Sequence, residues 1–327
     1  GEFGPSTRVP DAARDSPPRA AETGGHRPSS EGVSALWPRL VSVLHSTNRR
    51  KAGQYLAVWA IAGGEALTMW NSTSTIDPRP RLLWETIALL AVSLGQSAWY
   101  SILRMIERLT RGVPMNQQTS TLNSTVTPGR PWLDLVYQLS DIIFGVAPAL
   151  LAVLLLAQVK PPQQGVRRAL GLEAPGWGRD VGAGAVLAAV IGIPGLGFYW
   201  TARALGFNTT VQAAGLQHVW WTAPVLIGLA GMNAVLEETV MVGYLFARWR
   251  QIGWSMTTVI VASAIIRGTY HLYQGWGGFI GNIVMGLFLG WVFSRRRRLL
   301  PLIVAHAFLD IVSFLGYSYL AGRVSWL

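Results

Sequence analysis

The run APVLIGLAGMNAVLEETVMVGYLF, residues 223–246, is apolar throughout except for two adjacent acids, Glu237 and Glu238. A helix crosses the hydrocarbon of a bilayer with about 20 apolar residues, so the run predicts a membrane span. A carboxylate at that depth is costly unless it faces a polar cavity and finds partners, which makes an intramembrane acid a functional site by default. Neighbouring helical residues point about 100° apart. Both acids therefore cannot face lipid, and one of them is expected to face a shared site. Partners are available in the later apolar stretches: His271 in one, and His306 with Asp310 in another. The four-residue spacing puts His306 and Asp310 on one helical face. A Glu, two His and an Asp converging within the membrane form the constellation expected to carry the function.

The rest of the chain supports a membrane setting. Of 327 residues, 50% are hydrophobic and only 13% charged, where soluble domains carry about a quarter. The apolar residues gather in long stretches at about 82–105, 134–158, 180–205, 223–246, 255–273, 277–294 and 299–320. These predict an all-α, polytopic helical bundle of 7–8 transmembrane helices, the eighth being a short apolar run at 54–70. Fifteen Trp suit the membrane interface. Cysteine is absent, which excludes disulfides and thiolate metal sites. The net charge of +11 raises the question of nucleic acid, but no basic face with interleaved aromatics accompanies it. The basic residues instead mark cytoplasmic loops and contacts to anionic lipid headgroups. They are overwhelmingly Arg, with Lys only at Lys51 and Lys160, a bias that suggests a GC-rich, bacterial genome.

Ahead of the bundle, Gly1-Glu2-Phe3 reads as a cloning scar, and residues 1–32 as a disordered tail without a signal peptide. Residues 33–75 are expected to form an amphipathic, membrane-associated segment, and 80–320 the transmembrane domain. The polar stretch within 106–133, rich in Asn, Gln, Ser and Thr, predicts a solvent-exposed linker. Arg248 and Arg250 close one span, and Arg295 to Arg298 separate the last two. Positive-inside then places these loops in the cytoplasm of a cell-membrane protein. Glycines at 275, 277, 278, 281, 286 and 290 predict close helix packing, with a substrate-binding strand as the other reading.

Several chemistries fit the acids and histidines. Glu237, held against a water, would act as general base. His306 and Asp310 would then hold the developing oxyanion or orient the water, while His271 assists; alternatively Asp310 fixes the ring of His306. A Glu-His-His zinc site with an open position is a competing reading, although no H-E-x-x-H signature or close His pair is present. A proton or ion path is a third, for which Glu65, Glu85 and Asp141 are the further acids singled out. His45 and His218 read as ordinary hydrogen-bonding histidines. His271 poses a depth problem, because some 16 residues of its span precede it and would carry it toward the outer face. A tilt, or a break near Gly268, would reconcile this.

The order of motifs resembles the CPBP family of intramembrane proteases, which includes CAAX-prenyl endopeptidases and bacteriocin-processing or immunity proteins. The resemblance covers about residues 180–320. The family's E-E-x-x-x-R stands as Glu237-Glu238-Thr-Val-Met-Val242, its F-x-x-x-H as Arg267-Gly-Thr-Tyr-His271, and its H-x-x-x-N or D as His306-Ala-Phe-Leu-Asp310. The resemblance implies an intramembrane glutamic endopeptidase in which Glu237 activates water. Glu238, His271, His306 and Asp310 would line the cavity, with no metal and no cofactor. The implied partners are a membrane-associated peptide or protein substrate, the bilayer and a membrane-protein partner. Two departures stand out: Val242 replaces the family's Arg, and Arg267 its Phe. Without the motif Arg, a catalytically weakened scaffold is the alternative. If Arg267 instead turns toward the glutamates from the next helix, with Glu238 as its partner, one change answers the other.

Overall fold

The computed structural model describes residues 77–158, 166–171, 176–321 and 323. The expectations for 1–32 and 33–75, including the run at 54–70, lie outside the described residues. From Arg79 onward the chain is an all-helical membrane bundle with one small sheet. Its elements are α1 (Arg79–Ala91), α2 (Leu94–Thr110), β1 (Thr119–Ser124), α3 (Pro131–Gly145), α4 (Ala147–Ala157), α5 (Trp177–Ala204) and β2 (Thr210–Gly215). Then follow α6 (Thr222–Glu238), a π-helical segment (Thr239–Tyr244), α7 (Leu245–Gln251), α8 (Met256–Tyr270), α9 (Trp276–Arg296) and α10 (Leu300–Leu320).

Five of the seven predicted spans are long, apolar helices: 131–157, 177–204, 222–251, 276–296 and 300–320. The other two depart from a simple crossing. The first is bent by 55° between α1 and α2. There Ser93 Oγ donates to Leu89 O, 2.5 Å away, and the absence of a Cβ at Gly95 spares a clash with Leu90 O. The second is α8, only 15 residues long, or ~22 Å at ~1.5 Å per residue. It starts cleanly, with Ser255 Oγ accepting from the Thr258 N–H.

No break occurs at Gly268; α8 runs straight through it to Tyr270, and the glycine lets the backbone of α9 approach. The chain then turns back at once through residues 271–275, where Gly275 has φ 110°. Gly286 and Gly290 lie against Ala264 and Ile260 of α8, as the small-residue pattern predicted.

The 106–133 region is not a plain linker. Its strand β1 pairs in parallel with β2, about 90 residues later, in the register Thr119↔Thr210 to Ser124↔Gly215. Ser120 is buried, sharing a 2.7 Å hydrogen bond with Thr209 and donating to Tyr273 O at 3.0 Å. Thr209 N in turn donates to Gln274 O at 2.9 Å. The sheet thus grips the turn that carries His271.

The core surrounds α6 and the π segment. Leu226, Ala230, Ala234, Val240, Met241, Tyr244 and Leu245 are all fully buried. Ile193 of α5, Phe144 of α3 and Val312 of α10 instead remain exposed at the rim, as residues facing lipid must be. The chain is an integral membrane protein.

Candidate active site

Glu237 and Glu238 end α6, immediately before the π segment. Within that segment Met241 O accepts from Ser263 Oγ of α8 at 2.7 Å. π segments of this kind recur at functional sites. Here the segment joins the two acids to the continuing span, and Val242 lies buried within it.

The five predicted residues and Arg267 converge. Arg267 is fully buried and forks across both acids, with Nη2 2.7 Å from Glu238 Oε1 and Nη1 3.3 Å from Glu237 Oε2. Its aliphatic stem passes Gly286, where a Cβ would lie 3.2 Å from Arg267 Cδ. The closer contact is to Glu238, the partner expected from the sequence. Glu238 Oε1 also meets His306 Nδ1 at 2.8 Å. The orienting group for the His306 ring is thus Glu238. Asp310 stands off at 3.8 Å from His306 Nε2.

Glu237 is held differently. Its Oε2 accepts from the Tyr270 hydroxyl at 2.7 Å and lies 3.8 Å from His271 Nε2 and 3.9 Å from His306 Nε2. Its Oε1 accepts no hydrogen bond among the described residues, and the side chain keeps 10% exposure against 0% for Glu238. One oxygen is clamped and the other is open. His271 Nε2 is buried with no hydrogen-bond partner in the described residues. Gln274 Nε2 lies 3.5 Å from His271 Nδ1, and donation there would leave the ring's proton on Nε2, facing Glu237. The gap between His271 and Glu237 is too long for a direct bond and suits a bridging oxygen.

The competing chemistries find less here. Among the described residues no three His, Asp or Glu side chains are spaced to share a metal ion. A guanidinium already contacts both glutamates and offsets one of their two charges. For an ion path, Glu85 is occupied by Arg81 at 3.0 Å and Arg248 at 3.1 Å, and Asp141 is exposed on α3. Glu65 lies outside the described residues. His218 is an exposed loop residue and makes no interhelical bond of the kind expected.

Two polar neighbours were missed in the sequence. Tyr270 clamps Glu237, and Asn233, one turn before Glu237, donates to Asp310 Oδ2 at 3.4 Å. Asn233 had a legible signal, as an amide inside an apolar run on the face of Glu237.

Residues 219–312 match the family model for Rce1-like proteins, the type II CAAX prenyl endopeptidases. This stretch is similar to the CAAX-protease family. It contains every residue of the cluster, from Asn233 to Asp310, and the motif order read from the sequence agrees with it. No curated protein and no solved structure is significantly similar to the chain. The matched stretch begins with the loop before α6 and ends within α10.

Proposed function

We propose that the protein is an intramembrane endopeptidase that hydrolyses peptide bonds of membrane-associated substrates with a water activated by Glu237. The observation that carries this reading is the asymmetry of Glu237: Oε2 is fixed by Tyr270 and Arg267, while Oε1 is left for a water. A general base must be held within hydrogen-bond reach of the proton it takes. Oε1 accepts a proton from the water as the water oxygen bonds to the scissile carbonyl carbon. The same proton then passes to the amide nitrogen, the C–N bond breaks, and an acid and an amine leave. His271 Nε2, lacking a partner, steadies the water or the growing negative charge. Glu238 takes no proton in this scheme; it neutralises Arg267 and sets the His306 ring.

The test is cleavage of a fluorogenic, prenylated C-terminal peptide in phospholipid vesicles by the purified full chain. Glu237→Gln keeps the shape but cannot accept the proton, and removal of a general base costs about 10²–10⁴ in rate. Unchanged cleavage by that variant would end the reading. Abolition by a chelator with rescue by zinc would replace it with a metal mechanism.

We further propose a cell-membrane location with the basic ends, Arg248 to Arg250 and Arg295 to Arg298, in the cytoplasm. Single Cys residues at 249 or 296 of this Cys-free chain would then react only with a permeant thiol reagent. Reaction with an impermeant one in intact cells would reverse the orientation.

A further inference from the structure

Asn233 is left without a role by the reading above, and its position gives it one. It shares a face of α6 with Glu237, four residues on, just as His306 and Asp310 share a face of α10. The two helices meet in two rungs: Glu237 to His306 at 3.9 Å, and Asn233 to Asp310 at 3.4 Å. The rungs are about one ~5.4 Å turn apart. Glu237 and His306 are buried, whereas Asn233 and Asp310 are partly exposed, Asp310 to 23%. The second rung therefore lies toward the open side of the cluster.

Hydrolysis of an amide places a negative charge on the carbonyl oxygen, which needs a donor aimed at it. Asp310 is the wrong group for that task, because an acceptor of the Asn233 bond offers lone pairs where a proton is needed. Asn233 has two N–H bonds on Nδ2, and Asp310 engages one. That bond also decides which end of the amide faces α10, since the NH₂ group must point to the carboxylate. The second N–H is then free at the same atom. The distances are compatible: a water on Glu237, the carbonyl it attacks and a donor to that carbonyl, with contacts of ~3 Å, span the interval of one turn along a bent path.

We propose that Asn233 is the hydrogen-bond donor to the oxyanion, and that Asp310 is the positioning residue that presents its NH₂ group. The inference rests on the proposed hydrolytic function. It is tested with the same vesicle-borne prenylated peptide, using the full chain with Asn233→Ala, Asn233→Leu, Asn233→Ala with Asp310→Asn, and Glu237→Gln. Thermal midpoints are recorded for each, and the Leu variant keeps volume if Ala leaves a cavity.

Loss of one oxyanion donor costs about 10²–10³ in kcat. The expected result is a fall of that size for both Asn233 variants, with KM within about twofold. The double variant, in which an amide at 310 supplies the donor directly, should recover at least about tenfold. A merely structural Asn233–Asp310 bond predicts no recovery, because the double variant lacks that bond. Wild-type kcat in both Asn233 variants, or a double variant as slow as the single, would overturn the assignment. If Glu237→Gln is inactive in that experiment, only the donor is misassigned. If Glu237→Gln is fully active, or the wild-type chain cleaves nothing, the hydrolytic reading fails and the donor with it.

Discussion

Arg267 carries the balance of charge in the cluster. Two carboxylates and one guanidinium share a volume from which water is nearly excluded, and the guanidinium touches both acids. Removing one member of a buried ion pair strands the other, at a cost of about 3–5 kcal/mol. Arg267→Phe should therefore destabilise the protein by about that amount and reduce cleavage, measured by thermal unfolding and by the vesicle assay. Adding Val242→Arg returns a cation to the position where the family motif has it. Val242 is buried in the π segment, so the larger side chain will overpack. The double variant should regain activity more completely than stability. If Arg267→Phe costs nothing, or the pair regains nothing, the two departures from the motif are independent. The acids, histidines and Arg267 were legible because each is a charge or a titratable ring in an apolar run, where the bilayer makes its presence expensive. Tyr270 carried no such mark: a tyrosine near the end of a span reads as an interface anchor. Only the fold turns its hydroxyl inward.

At the scale of elements, helices announced themselves by length and hydropathy, and the sheet did not. The stretch 119–124 is polar, and its partner strand lies some 90 residues away beyond four further helices, one of them the single turn Val166–Ala169. Pairing between such distant, weakly patterned strands leaves no periodic signal. Its role is also visible only in three dimensions, through the hydrogen bonds of Ser120 and Thr209 to residues 273 and 274. Thr209→Val removes the 2.7 Å contact to Ser120 and the 3.0 Å bond to Gln274 O. Leaving such buried groups unsatisfied costs about 1–3 kcal/mol. The expected outcome is faster amide exchange across residues 272–276, with protection of α6 unchanged. Equal protection in the turn would mean that the sheet does not hold it. The π segment was equally hidden, since its residues, TVMVGY, continue the apolar run without a break.

At the scale of the whole molecule, the fold is a central span, α6 through α7, wrapped by helices whose outer faces are apolar. The predicted bundle is borne out from residue 79 onward, and the predicted boundaries of the five long spans fall within a few residues of the observed ones, apart from the C-terminal extension of 223–246 to Gln251. Val261 and Ile265 are exposed on α8, so this 15-residue helix faces acyl chains directly. A ~30 Å hydrocarbon layer cannot be matched by a ~22 Å helix, and the polar sheet seated over its end would otherwise be drawn into oil. Thinning of the lipid on that flank would relieve the mismatch, by a deformation whose free energy rises with each added methylene. Cleavage in vesicles of increasing acyl length should accordingly decline as the leaflet thickens, and a rate indifferent to chain length would show that no such dimple forms. On the proposed hydrolytic reading, the short helix would make the surrounding membrane a part of the machine, with bilayer thickness as a control on how closely water and a juxtamembrane peptide approach the glutamates.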